Sequence, residues 1–129
     1  MSAWTPVCRL ADLAVERGAA ALLATSGEPE QIALFRMTDD EVLAVQQLDP
    51  YSGANVMARG IVGTRGGELT VAGPVYKQVF SLRTGRCLDA AGYTPRYGLP
   101  GDLTTYPARV VDGVVMVGST GETSGGMRG

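Results

Sequence analysis

The chemistry open to this chain is limited first by its nitrogen and sulfur donors. Cys8 and Cys87 are its only thiols, and it has no histidine. Without imidazole it lacks the usual base of a Ser/His/Asp or Cys/His device, the commonest zinc ligand and a proximal haem ligand. Two cysteines cannot complete a four-thiolate site either. Any iron, zinc or haem chemistry must therefore come mostly from another chain. The remaining candidates lie in three Gly- and Pro-rich stretches: Asp49-Pro-Tyr-Ser-Gly-Ala-Asn55, Arg59-Gly-Ile-Val-Gly-Thr-Arg-Gly-Gly67 and Gly73-Pro-Val-Tyr-Lys-Gln78. Loops of this length in a small domain are more often sites than connectors.

Each candidate has a functional and a structural reading. Asp49 and Tyr51 offer two oxygen donors for a metal, but Asp before Pro is a common turn starter, and the turn is favoured. Lys77, the only lysine, could attract an anionic group, although a solvated surface charge is the more frequent outcome. Gly60, Gly63, Gly66 and Gly67 superficially suggest a phosphate cradle. The Gly-Lys-Ser/Thr sequence opening a helix is absent, which leaves them as backbone turns. Arg59 and Arg65 beside them could meet an acidic patch on a partner. Cys8 and Cys87 are expected to be reduced and buried.

The elements that must position these residues are predominantly strands. A length of 129 residues with 45% hydrophobic and 19% charged content fits one soluble globular domain. With 11 basic and 13 acidic residues the net charge is −2, too small a field to favour nucleic acid or an anionic membrane. The apolar stretch Ala19 to Ala24 is too short to span a bilayer, and Met1-Ser-Ala-Trp4 lacks the regions of an export signal, so a cytoplasmic location is expected. Most segments between Gly and Pro alternate at period two, which predicts an all-β fold. Trp4 to Arg9 reads as a first strand and Leu10 to Gly18 as about one helical turn. Gly18 to Ala24 is either a strand or the end of that helix. Gln31 to Met37 and Glu41 to Gln47 form one hairpin, and Arg109 to Val111 with Val114 to Val117 form another across Asp112-Gly113. Residues 1–117 are expected to be one domain, with 118–129 a flexible Gly/Ser/Thr-rich tail.

The spacing of Asp49-Pro-Tyr-Ser-Gly-Ala and Gly73-Pro-Val-Tyr-Lys-Gln-Val-Phe-Ser-Leu-Arg-Thr-Gly-Arg-Cys-Leu88 resembles the two cluster-binding loops of Rieske-type ferredoxins. Those loops read Cys-Pro-His-x-Gly-Ala and Cys-Pro-x-His-Gly-x-x-Phe-x-x-x-Thr-Gly-x-Cys-Leu, and supply two thiolates and two imidazoles to a [2Fe-2S] cluster. The ligand positions fall on Asp49, Tyr51, Gly73 and Tyr76. None carries the ligand the family uses, while the frame of Pro50, Gly53, Ala54, Pro74, Phe80, Thr84, Gly85 and Leu88 is kept. Together with Ile32-Ala-Leu-Phe-Arg36, Ala58-Arg-Gly60, Pro74-Val-Tyr-Lys-Gln-Val-Phe80 and Arg109-Val-Val-Asp-Gly-Val-Val115, the pattern resembles the small subunits of assimilatory NAD(P)H-dependent nitrite reductases. Gly73 departs from it, since that place is often Ser, and residues 60–67 lengthen the gap between the loops.

The resemblance implies a Rieske-like β-sandwich of short antiparallel strands without a cluster. It also implies a division of labour. This chain would hold no cofactor, and a large-subunit partner would carry FAD, sirohaem and an iron-sulfur cluster at which nitrite becomes ammonium. No catalytic residue is then expected here. Asp49, Tyr51, Gly73, Tyr76 and Lys77 become the candidate partner-contact tip. Tyr51 and Tyr76 either anchor that contact or fill the space left by the cluster, and filling is favoured because a buried aromatic contributes roughly 2 kcal/mol. The other class left open is a stand-alone interaction or ligand-binding module on a degenerate Rieske domain.

Overall fold

A computed structural model of the chain describes residues 4–24 and 27–118. Their regular structure consists of eleven strands and three single-turn 3₁₀ segments, with no α-helix. The strands are β1 (Trp4–Arg9), β2 (Gly18–Leu23), β3 (Glu30–Arg36), β4 (Val42–Gln46), β5 (Ile61–Arg65) and β6 (Glu68–Ala72), followed by β7 (Val79–Ser81), β8 (Cys87–Asp89), β9 (Thr105–Tyr106), β10 (Ala108–Val111) and β11 (Val114–Gly118). They form three antiparallel sheets, ordered β1-β11-β10, β2-β3-β4-β9 and β5-β6-β7-β8.

The sheet β2-β3-β4-β9 is the middle layer, and β3 shows why. Residues Ile32 to Phe35 are all buried, so this stretch reads as an unbroken apolar run rather than an alternation. Ile32 and Leu34 face a core shared with Val115 and Val117 of β11. Ala33 and Phe35 face the opposite way, into a core with Val71, Phe80 and Leu82. One strand thus serves two cores, and full burial of Phe35 alone contributes about 2–3 kcal/mol. The β5–β8 sheet and the sheet holding both ends of the described chain consequently lie on opposite faces of the middle layer.

Several expectations are resolved by packing. The segment left open between strand and helix holds the strand β2, Gly18–Leu23, whose Gly18 lies so close to the Ala58 carbonyl that a side chain there has no room. A short 3₁₀ turn, Leu10–Asp12, replaces the expected helical turn. Arg36 fixes the following segment by donating to the Leu10 and Leu13 carbonyls at 3.1 and 2.9 Å. Residues 59–67, read above as a loop, hold the strand β5 and its turn, because Ile61, Val62 and Thr64 pair with β6 despite the interspersed glycines. The two cysteines are free but half-buried rather than buried. For Cys8, burial and then the Asp12 carboxylate push the thiol pKa up, which disfavours the reactive thiolate. The expected tail lies outside the described residues from 119 onward. No helix of the described chain is long and apolar enough to cross a membrane.

Candidate functional site

The two loops singled out by spacing have one backbone design. In the first, the Asp49 N–H donates to the Ala54 carbonyl at 2.8 Å and the Gly53 N–H to the Asp49 carbonyl at 2.8 Å. In the second, the Gly73 N–H donates to the Gln78 carbonyl at 2.8 Å and the Lys77 N–H to the Gly73 carbonyl at 3.1 Å. The turn after β7 repeats the scheme a third time, with Ser81 N–H to Arg86 at 2.9 Å and Gly85 N–H to Ser81 at 2.8 Å. Each loop needs a left-handed residue at its fifth position, and these are Gly53 (φ 78°), Lys77 (φ 68°) and Gly85 (φ 80°). Glycine adopts that conformation freely, whereas a side chain there costs roughly 1 kcal/mol. Only the second loop accepts this cost.

The side chains at the four degenerate ligand positions are engaged by the fold. Asp49 is fully buried, and its Oδ1 accepts the Tyr51 N–H at 2.9 Å. Its Oδ2 is buried without a partner, and a methyl group added at Gly73 would sit 3.4 Å from it. Tyr51 is 5% exposed, with its ring 6.0 Å from that of Phe80 and its hydroxyl donating to Cys87 Sγ at 3.4 Å. Burial first, then the Cys87 contact and the charges of Asp102 and Asp49, push the Tyr51 hydroxyl pKa up to about 12. Tyr76 is half-buried and stacks on Tyr93 with centroids 4.6 Å apart and planes at 21°. Residues so placed do not fit a [2Fe-2S] cluster: Gly73 has no donor, Tyr51 is turned into the core, and neither thiolate nor imidazole stands at any of the four positions. Among the described residues no group of three or more His, Cys, Asp or Glu could hold a metal ion.

Of the five candidate tip residues, the structure brings Asp49, Gly73 and Tyr51 together inside the domain, where they shape the loops. Tyr76 and Lys77 reach the surface. A third segment joins them there. The Arg96 N–H donates to the Pro50 carbonyl at 2.8 Å, and the Tyr97 ring covers Gly53, so close that an added Cβ would lie 2.8 Å from Cε2. On the other side Gln78 Nε2 donates to the Ala90 carbonyl at 3.2 Å, next to the Tyr76–Tyr93 stack. Residues 90–99 therefore strap the two loops together. The guanidinium of Arg96 lies beside the hydroxyls of Tyr97 and then Tyr76, which favours its charged form. Tyr93, Arg96 and Tyr97 were not among the sequence candidates. The available signal was the placing of two tyrosines and an arginine within Gly92-Tyr-Thr-Pro-Arg-Tyr-Gly98, aromatic and cationic residues set among turn formers.

Residues 3–118 match the family model of the Rieske-like [2Fe-2S] domain. The chain is 36% identical to the nitrite reductase (NADH) small subunit of Escherichia coli strain K12, covering 91% of this chain and 98% of that one. It is 40% identical over 116 residues to a nitrite reductase [NAD(P)H] large subunit of Klebsiella oxytoca, covering 90% of this chain but only 11% of that protein. Among solved structures, the NMR structure of the E. coli protein NirD superposes with a TM-score of 0.74 at 36% identity, over 92% of this chain and 98% of that one.

Proposed function

The chain belongs to the Rieske-like [2Fe-2S] domain family, and within it to the nitrite reductase small subunits; from that premise we propose that it works as the small, non-cofactor-bearing subunit of an NAD(P)H-dependent nitrite reductase. The observation that carries this is the Klebsiella relative, in which a domain 40% identical to this chain occupies 11% of a large-subunit polypeptide. A domain found within the large subunit of one enzyme is a natural subunit of another. That favours a role in complex over a stand-alone module.

In this reading the large subunit holds the FAD, sirohaem and iron-sulfur cluster and performs the six-electron reduction of nitrite to ammonium. No side chain of the present chain takes part in a chemical step. Its contribution is docking by the tip, with Asp49, Tyr51 and Gly73 setting the loop shapes from inside and Tyr76 and Lys77 on the surface. The burial of three of the five candidates supports this split between filling and contact.

The test is co-purification of the chain with its large subunit, followed by NAD(P)H-driven nitrite reduction with and without it. A complex and a gain in activity are expected. Absence of both would defeat the subunit role. The isolated chain is also expected to be colourless, and stoichiometric iron and sulfide in it would overturn the cluster-free reading.

A further inference from the structure

Of the six non-glycine residues with left-handed backbone among the described residues, Lys77 and Tyr97 lie at the tip. Lys77 stands where the two equivalent loops have Gly53 and Gly85, yet it keeps its side chain at φ 68°. That side chain is exposed and belongs to no ion pair among the described residues. Tyr97 has φ 57° and is 79% exposed. Its ring lies over Gly53 on one face only, and the Lys77 side chain is left in solvent. An observed outlier of this kind is a reason to look for a function outside the chain.

The surroundings indicate what kind of function. Val75 and Tyr93, on the second loop and the strap, are also 47% and 49% exposed. Tyr76 stacks on Tyr93, and the side chains of Arg96 and Tyr97 lie together over Gly53 of the neighbouring loop. An exposed patch of tyrosine, arginine and aliphatic carbon has the composition of an interface core. Its two ionisable cations, Lys77 and Arg96, have no carboxylate among the six residues, although the whole chain has a net charge of −2. Two acidic side chains of the flanking segments are already in use: Asp89 pairs with Arg65 at 3.5 Å, and Asp102 accepts the Cys87 N–H at 2.8 Å.

We propose that Val75, Tyr76, Lys77, Tyr93, Arg96 and Tyr97 form the contact surface for the large subunit, and that the surface they meet is acidic around an apolar depression that receives the Tyr97 ring. This rests on the subunit role proposed above and adds where the contact lies and what chemistry the partner presents. Opposite charge gives such a contact a fast, salt-sensitive association, while the buried tyrosine sets its lifetime.

The experiment titrates the large subunit with wild-type chain and with Lys77→Gly, Arg96→Glu and Tyr97→Ala, using Arg9→Glu on β1 as a control on the far sheet. Each chain is also melted alone. Arg96→Glu and Tyr97→Ala are expected to weaken binding tenfold or more and Arg9→Glu to stay within twofold. Lys77→Gly is the diagnostic variant: relief of the left-handed strain raises the melting temperature of the free chain by a few degrees while affinity falls about threefold or more. A side chain kept for internal structure would move both readouts the other way. Wild-type affinity should also fall when salt rises from about 50 to about 500 mM, and Arg96→Glu should flatten that dependence. If the wild type binds and the tip variants bind equally well, this surface is wrong and the subunit role stands. If the wild type fails to bind, both ideas fall. Tip variants that abolish self-association of the chain and spare the complex would reassign the patch to a second copy and overturn the proposal.

Discussion

At the level of single residues, Asp49, Gly73 and Tyr51 each bear on stability. Asp49 Oδ2 is buried without a partner, and an unpartnered buried carboxylate oxygen costs on the order of 1–3 kcal/mol. Gly73 faces it with room for a Cβ at ordinary contact distance, and its φ lies outside the left-handed range. Gly73→Ser places a hydroxyl donor within reach of that oxygen and is expected to stabilise the domain by about 1 kcal/mol, whereas Gly73→Ala brings no donor. Urea denaturation of the three proteins checks this, and equal gains from Ser and Ala would point to backbone entropy instead. Tyr51 makes a second residue-level prediction. Its hydroxyl is shifted from about 10 to about 12 in the folded chain. A phenol whose folded pKa is raised contributes stability that is complete below the unfolded value and is lost as pH rises toward the folded one. Burial and then the Glu30 carboxylate raise Tyr106 in the same direction. Stability should therefore fall between about pH 10 and pH 12, and Tyr51→Phe should make that fall shallower in denaturation series across this range. An unchanged slope would mean that Tyr51 ionises without unfolding.

At the level of elements, the three loops with a shared hydrogen-bond scheme differ in how much their left-handed residue is needed. Gly53 meets the Tyr97 side chain, which can shift, but Gly85 is pressed against the Leu103 carbonyl, where backbone leaves no room for a side chain. The Leu103 N–H donates back to the Gly85 carbonyl at 2.7 Å. Gly85→Ala therefore combines backbone strain with a clash between two backbones and is expected to cost about 3 kcal/mol or more. Gly113→Ala at the β10–β11 turn also has positive φ but meets nothing within 4 Å, so it should cost only about 1 kcal/mol. Thermal melts of the two variants decide this, and comparable losses would remove the clash from the account. The same elements show what the sequence makes legible. The hairpins β3–β4 and β10–β11 carry their own apolar strands and turn residues, and they were readable at once. The strand β5 was not, since Gly63, Gly66 and Gly67 imitate a loop and its pairing depends on β6. The strands β7, β8 and β9 are two or three residues long, too short to show a period, and exist because neighbouring strands hold them. The assignment of Asp49, Tyr51, Gly73 and Tyr76 to ligand positions comes from the resemblance to the Rieske loops alone. Residues 90–99 were not readable, because a strap has no periodicity and its role appears only when both loops are in place.

At the level of the whole molecule, the chain ends and the proposed docking tip belong to different sheets. Trp4 pairs with Gly118, so both ends of the described chain leave side by side from the β1-β11-β10 sheet. The proposed tip is carried by the β6–β7 loop and the segment after β8, both attached to the β5-β6-β7-β8 sheet. A polypeptide tether attached at the chain ends would thus leave the tip free to dock, which agrees with the presence of a similar domain inside the Klebsiella large subunit. The arrangement predicts the behaviour of an engineered fusion of this chain to its large subunit through a flexible linker. A linked partner is present at an effective concentration on the order of millimolar, independent of dilution. The separate subunits should lose the activity gained from association once diluted below their dissociation constant, while the fused protein should keep it over the same range. Addition of Arg96→Glu to the fusion should have little effect at a moderate tenfold loss of affinity, because the effective concentration still exceeds the weakened constant; in the unlinked pair it should move the dilution midpoint tenfold upward. A fusion that loses activity on dilution in parallel with the separate subunits would show that a tether at the chain ends blocks docking, and the contact would then lie on the chain-end sheet rather than at the tip.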